Sequence, residues 1–185
     1  MISLREDDDG IWQTSAVLPE WSGYQSRLGP YGSKDGTGVS DGTVRIGLAP
    51  DGRRDGPVTP DEQAYLRWFM ENHAEQASAL VSALFAALPT LRSDYISAWM
   101  LPEDDQSFPM IESMEDLRNV IGLHDVHIHG LAKDGTPFVG YEFGCDWEEE
   151  HGLGVLMHGK QVLEIGHADS SFTRWIAKRA SEKLA

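Results

Sequence analysis

The chain reads as an α+β domain: a long central helix, an antiparallel β-meander of about four strands in the C-terminal third, and a C-terminal helix, with the helices packed on one face of the sheet. Three observations predict this. A well-formed helix start stands at Thr59, followed by apolar residues at helical spacing. Beyond Gly122 the apolar period changes from 3.6 to two. After Gly166 the helical pattern returns.

Residues 1–58, rich in Gly, Asp, Ser and Pro, form an irregular N-terminal part with two strand candidates, Ile11 to Leu18 and Thr43 to Leu48. A glycine-rich loop, Gly29 to Gly42, separates them, and their place in the sheet stays open. Residues 59–122 are the helical part. Thr59-Pro60-Asp61-Glu62 sets a capping Thr, a Pro at the first helical position and a Glu three after the cap. The apolar stripe is Leu66, Phe69, Ala77, Leu80, Leu84 and Leu88, with Pro89 expected to end the helix. A second helical piece is expected around Leu91 to Met100, and another start at Ser113, stopped by Gly122.

Residues 123–185 hold the meander and the last helix, completing a single domain over 1–185. Val126 and Ile128 alternate with His127 and His129, and Lys133-Asp134-Gly135 supplies a hairpin turn. Val139, Tyr141, Phe143, Cys145 and Trp147 make the apolar face of the next strand. Leu153 to Met157 and Val162 to Gly166 follow, joined by a turn at His158-Gly159-Lys160. Asp169 or Ser170 caps the last helix, whose packed side is expected to be Phe172, Trp175, Ile176 and Leu184.

Thirty acidic residues against fifteen basic ones give a formal charge of −15, a field that repels nucleic-acid phosphates and anionic membranes. Neither is expected as a partner; a basic protein or a cation is. The single Cys145 fits a reducing compartment. The opening residues lack the pattern of a leader, and the apolar run Ala77 to Leu88 is shorter than the roughly 20 residues a membrane span needs. A cytoplasmic protein is expected.

Six of the seven histidines lie between His124 and His167, among many carboxylates. His127 and His129 share a strand face, a common way to present two imidazoles to one metal; Glu142 and His158 are the candidates to complete the set for Zn²⁺ or another divalent cation. None of the tight zinc spacings, the P-loop order or a nucleophile elbow is present. His73 falls within the helical stripe and reads as a core or interface residue. Cys145 reads as a buried, inert thiol.

Tyr141 to Val155, with Val162 to Gly166 and Ala168-Asp169, carries the run Cys-x-Trp-x-x-Glu-His-Gly-Leu-Gly-Val. This run resembles a bacterial family of domains of unknown function. The signature residues are Cys145, Trp147, Glu150, His151, Gly152, Gly154, Gly166 and Asp169. The resemblance spans about Val126 to Phe172 and extends to the helix start at Pro60 to Gln63. It implies a small bacterial cytosolic protein, loosely similar to immunity or partner-binding proteins encoded near toxins. The leading expectation is therefore a non-enzymatic, acidic protein-binding domain with no required cofactor. The alternative is a metal-binding protein or metal-dependent hydrolase built on the histidine and carboxylate cluster.

Overall fold

A computed structural model describes residues 3–7, 10–49 and 56–184; positions 1, 2, 8 and 9 of the opening segment lie outside them. Among the described residues seven strands form one sheet in sequential order: β1 (Arg5–Glu6), β2 (Trp12–Val17), β3 (Thr43–Leu48), β4 (Ile121–Lys133), β5 (Thr136–Cys145), β6 (Leu153–His158) and β7 (Gln161–Gly166). The expected meander is β4 to β7. The sheet is larger than expected and mixed rather than purely antiparallel. The two N-terminal strand candidates are β2 and β3, and β3 runs parallel to β4. The connection between them passes through the long helix, as a parallel crossover requires.

That helix, α1 (Pro60–Ala98), begins with the expected capping box: the Glu62 backbone N–H donates to Thr59 Oγ1 (3.2 Å), and the Thr59 N–H donates to Glu62 Oε2 (2.7 Å). The predicted stripe is buried in full. It packs on Val126, Ile128, Val139, Tyr141, Phe143 and Val155, which all face one side of the sheet. Pro89 does not end the helix, and the second helical piece is its continuation to Ala98. An interior Pro costs a hydrogen bond and a clash with the preceding turn, about 3 kcal/mol. Here Pro89 itself is exposed and both flanks are fastened. Leu88 sits in the core. Beyond Pro89, Arg92 Nη2 donates to the carbonyls of Glu103 and Asp105, and Tyr95 packs its ring on Phe108 (centroids 5.8 Å apart). By length and composition α1 would pass for a membrane span; 28% of its most apolar window is buried, by the stripe that packs against the sheet.

Gly122 is a strand residue rather than a helix stop. The Ser113 start yields a 3₁₀ turn, Met114–Asn119. The last helix is broken at Thr173 into α2 (Asp169–Phe172) and α3 (Arg174–Lys183). Its buried side is Ile176, Ala177 and Ala180, whereas Trp175 is 59% exposed.

The helices do not share a face. Ile176, Ala177 and Ala180 pack on Phe138 and Leu156, whose neighbours Val139 and Val155 point to α1; successive strand residues face opposite sides, so α3 covers the second face. That face is lined with glycines, and main chain lies directly on them. A Cβ at Gly140 would overlap the Ser171 carbonyl, one at Gly144 the Gly32 carbonyl, one at Gly122 the Gln25 carbonyl and one at Gly154 the His167 carbonyl. The glycine-rich loop and the segment after β7 are thus seated against the sheet.

Candidate functional site

Two clusters of titratable side chains emerge from this layering. The first lies on the second face where β3, β4 and β5 meet. Arg45, Asp125 and Glu142 occupy one cross-strand row, with Gly47, His127 and Gly140 in the next. Arg45 grips Asp125 with two hydrogen bonds, from Nε (2.7 Å) and from Nη2. Asp125 is 2% exposed. His127 Nε2 meets Glu142 Oε2 at 2.7 Å, and the Phe172 ring stands edge-on to the imidazole (5.5 Å). Burial raises the Glu142 pKa, but the hydrogen bond from His127 and the positive charge of His127, His124 and Arg45 outweigh it, leaving the carboxyl below its ordinary value. His124 Nδ1 donates to the Arg27 carbonyl (2.8 Å). A shallow cleft of about 740 Å³ opens over the cluster, rimmed by Tyr31 in left-handed backbone (φ 55°).

The expected metal quartet does not converge here. His127 and Glu142 meet as partners of one another. His129 shares their face, but its Nε2 donates to the Ser171 carbonyl (2.8 Å) in a buried site. His158 pairs with Phe138, four residues and roughly 13 Å along β5 from Glu142. Its Nε2 contacts the Lys133 carbonyl at 3.2 Å. Asp125, His127 and Glu142 do bring ligand atoms within 4.8 Å of one another. With Arg45 on Asp125, the charges are matched internally, and the row ties together the sheet's parallel junction.

The second cluster stands on the other side of the glycine run. Cys145 is fully buried, with its thiol pushed up to about 12, chiefly by desolvation, and its S–H directed at the Glu148 carbonyl (3.6 Å). Trp147 is 7% exposed and packs its ring at a tilt of 37° against Phe108, centroids 5.1 Å apart. Asp146 pairs with buried Arg27 and with Lys34. Gly152 takes positive φ (61°) and returns its N–H to the Glu148 carbonyl (3.0 Å), closing the turn. His151 uses that turn to reach Glu148 Oε1 (Nδ1 at 3.1 Å). His167, directly after β7, brings its ring within 5.1 Å of the His151 ring. Glu148, His151 and His167 also place ligand atoms within 4.8 Å of one another.

A family defined as a domain of unknown function, DUF6985, matches residues 31–172. The chain belongs to the DUF6985 family. The match runs well beyond the C-terminal run and takes in β3, α1 and the whole meander of the DUF6985 domain. Neither the curated proteins nor the solved structures contain a match to it. The residues expected to form the C-terminal run divide by role. Cys145 and Trp147 are core. Gly152 makes the turn, and Gly154 and Gly166 lie where added side chains would strike 167–171. Glu150 and Asp169 are exposed. Sequence reasoning missed Arg45, Asp125 and His167 as site residues. The H-x-H spacing pointed at strand β4, but His167 lies sixteen residues from His151, and no spacing rule links them.

Proposed function

We propose that this domain is a non-enzymatic binding module whose partner is a basic protein segment carrying a bulky apolar side chain. One observation carries the reading. Residues 93–117 contain Asp94, Glu103, Asp104, Asp105, Glu112, Glu115 and Asp116 and no Lys or Arg. The same stretch exposes Trp99 (52%), Met100 (91%), Met110 (83%) and Met114 (48%). The chain after α1 folds back along the helix, so these anchors follow it from Ser82, whose hydroxyl meets Met114 Sδ at 3.9 Å, to Met100 just past its end. Between them lies a cleft of about 500 Å³ lined by Leu88, Pro89, Phe108, Pro109, Met110 and Ile111, with Asp105 and Arg92 also on its wall, the guanidinium of Arg92 held by the Glu103 and Asp105 carbonyls. Hydrogen bonds from Ser107 and Ser113 lower the pKa of Asp105 and Asp116 respectively, keeping both charged at neutral pH. Adaptable Met and Trp anchors inside an acidic rim suit a basic partner, which the rim also steers. An immunity-type pairing with a basic toxin falls within this class.

The test is a titration of the full chain with basic peptides, with and without one Phe or Leu, followed by Trp fluorescence in about 50 and 500 mM salt. Binding should need both charge and anchor and weaken in high salt. Met110→Asp should weaken it by about tenfold or more. Equal affinity for neutral and basic peptides, or an unaffected Met110→Asp variant, would refute the reading.

A further inference from the structure

We propose that Glu148, His151 and His167 form an open divalent-metal site of the zinc class, which adjoins the protein-binding surface above and shares Asp94 with it. Two imidazoles and a carboxylate are the ligand set of a three-coordinate zinc centre that keeps a fourth position for water or substrate. They also favour zinc-class ions over Mg²⁺ or Ca²⁺, which take oxygen ligands.

The cluster is built to hold this geometry. The Trp147 ring and the Gly152 turn fix the 147–152 loop, and the Ala168 N–H donates to the His151 carbonyl (3.0 Å), locking that loop to the segment bearing His167. Glu148 Oε1 accepts from both the His151 N–H (3.3 Å) and Nδ1, which orients the carboxylate. Glu148 Oε1 and His151 Nδ1 already stand 3.1 Å apart, so a metal ion would take the place of the proton between them, and the His167 ring nitrogens have no hydrogen-bond partner among the described residues. Ligand atoms around a tetrahedral zinc are separated by about 3.3 Å. Closing from within 4.8 Å needs only small rotations of two exposed imidazoles.

The electrostatics agree. No Lys or Arg is paired with Glu148 among the described residues, in contrast to Asp125, which Arg45 neutralises. The exposed carboxylates of Glu149 and Glu150 add negative potential. Glu148 and His167 also line a cleft of about 170 Å³ with Asp94, Tyr95, Trp147 and Leu153, so an open coordination position would stand at the mouth of a pocket.

Untagged, chelator-treated protein titrated with Zn²⁺ by calorimetry, and with Co²⁺ by visible absorption, tests this. One equivalent should bind, with the Co²⁺ bands of a low-coordinate nitrogen and oxygen site. His167→Ala and His151→Ala should each weaken binding at least about 100-fold, since loss of even an outer partner costs 10–100-fold. His127→Gln should bind as wild type. Circular dichroism checks that every variant is folded; both site histidines are exposed, so their removal should leave the fold intact. No binding up to about 100 µM metal, binding unchanged in His151→Ala and His167→Ala, or binding lost in His127→Gln would each overturn the proposal.

Discussion

Replacing Gly140 by Ala should be among the most damaging small changes in this domain. The added Cβ would overlap the Ser171 carbonyl oxygen and stand 2.5 Å from its carbon and 2.7 Å from its Cα. Ordinary carbon contacts need about 3.5–4 Å, so the 167–172 segment must retreat by roughly 1.5 Å. Overpacking of this kind costs about 1–3 kcal/mol. The retreat also draws the Ser171 carbonyl away from buried His129 Nε2, and weakening that bond costs about 1–3 kcal/mol more. A loss of about 2–6 kcal/mol is expected, or roughly 4–24 °C in Tm for a chain of this size. Gly47→Ala is the matched control. It lies on the same face next to His127, has ordinary φ, and its Cβ would meet nothing closer than 3.6 Å. Thermal melts and urea titrations of both variants decide the matter. A Gly140→Ala protein melting within about 2 °C of wild type would show that the main chain does not rest on that strand.

Three further outcomes are expected. Cys145, buried and with its thiol pushed up to about 12, should resist alkylation at pH 8 in the native state and react only on unfolding, as followed by mass spectrometry. Glu142 has a folded pKa below its unfolded value, so its stabilising contribution is present above the unfolded pKa and fades as pH falls through the folded one. The stability gap between wild type and Glu142→Gln, measured by urea titration, should therefore narrow from about pH 5 downward. Thr59→Ala removes the acceptor for the Glu62 N–H and should cost about 1 kcal/mol, measurable as a shift in urea midpoint without a change in slope.

Elements whose signals are local were legible in the sequence. The capping box and the stripe from Leu66 to Leu88 place α1, because a helix start and a buried face depend on residues three or four apart. Period-two alternation places β5 and its neighbours for the same reason. The helix end was misjudged because Pro89 carries a strong local penalty that distant contacts to the 103–108 strap override. Of the expected ligands, the sequence correctly put His127 and His129 on one face, but it had no means of showing that Ser171 engages His129 and Lys133 engages His158.

By itself, then, the sequence determined the class of the domain, the long helix, the four-strand meander, and which strand residues point the same way. The tertiary structure alone decided that β3 inserts in parallel beside β4, that helices lie on both faces, and that His167 joins Glu148 and His151. The reason is physical. Alternation reports which side a residue faces, whereas what covers that side depends on chain segments far away. Glycines such as Gly140 and Gly144, silent in any hydrophobic pattern, are where that covering main chain comes to rest.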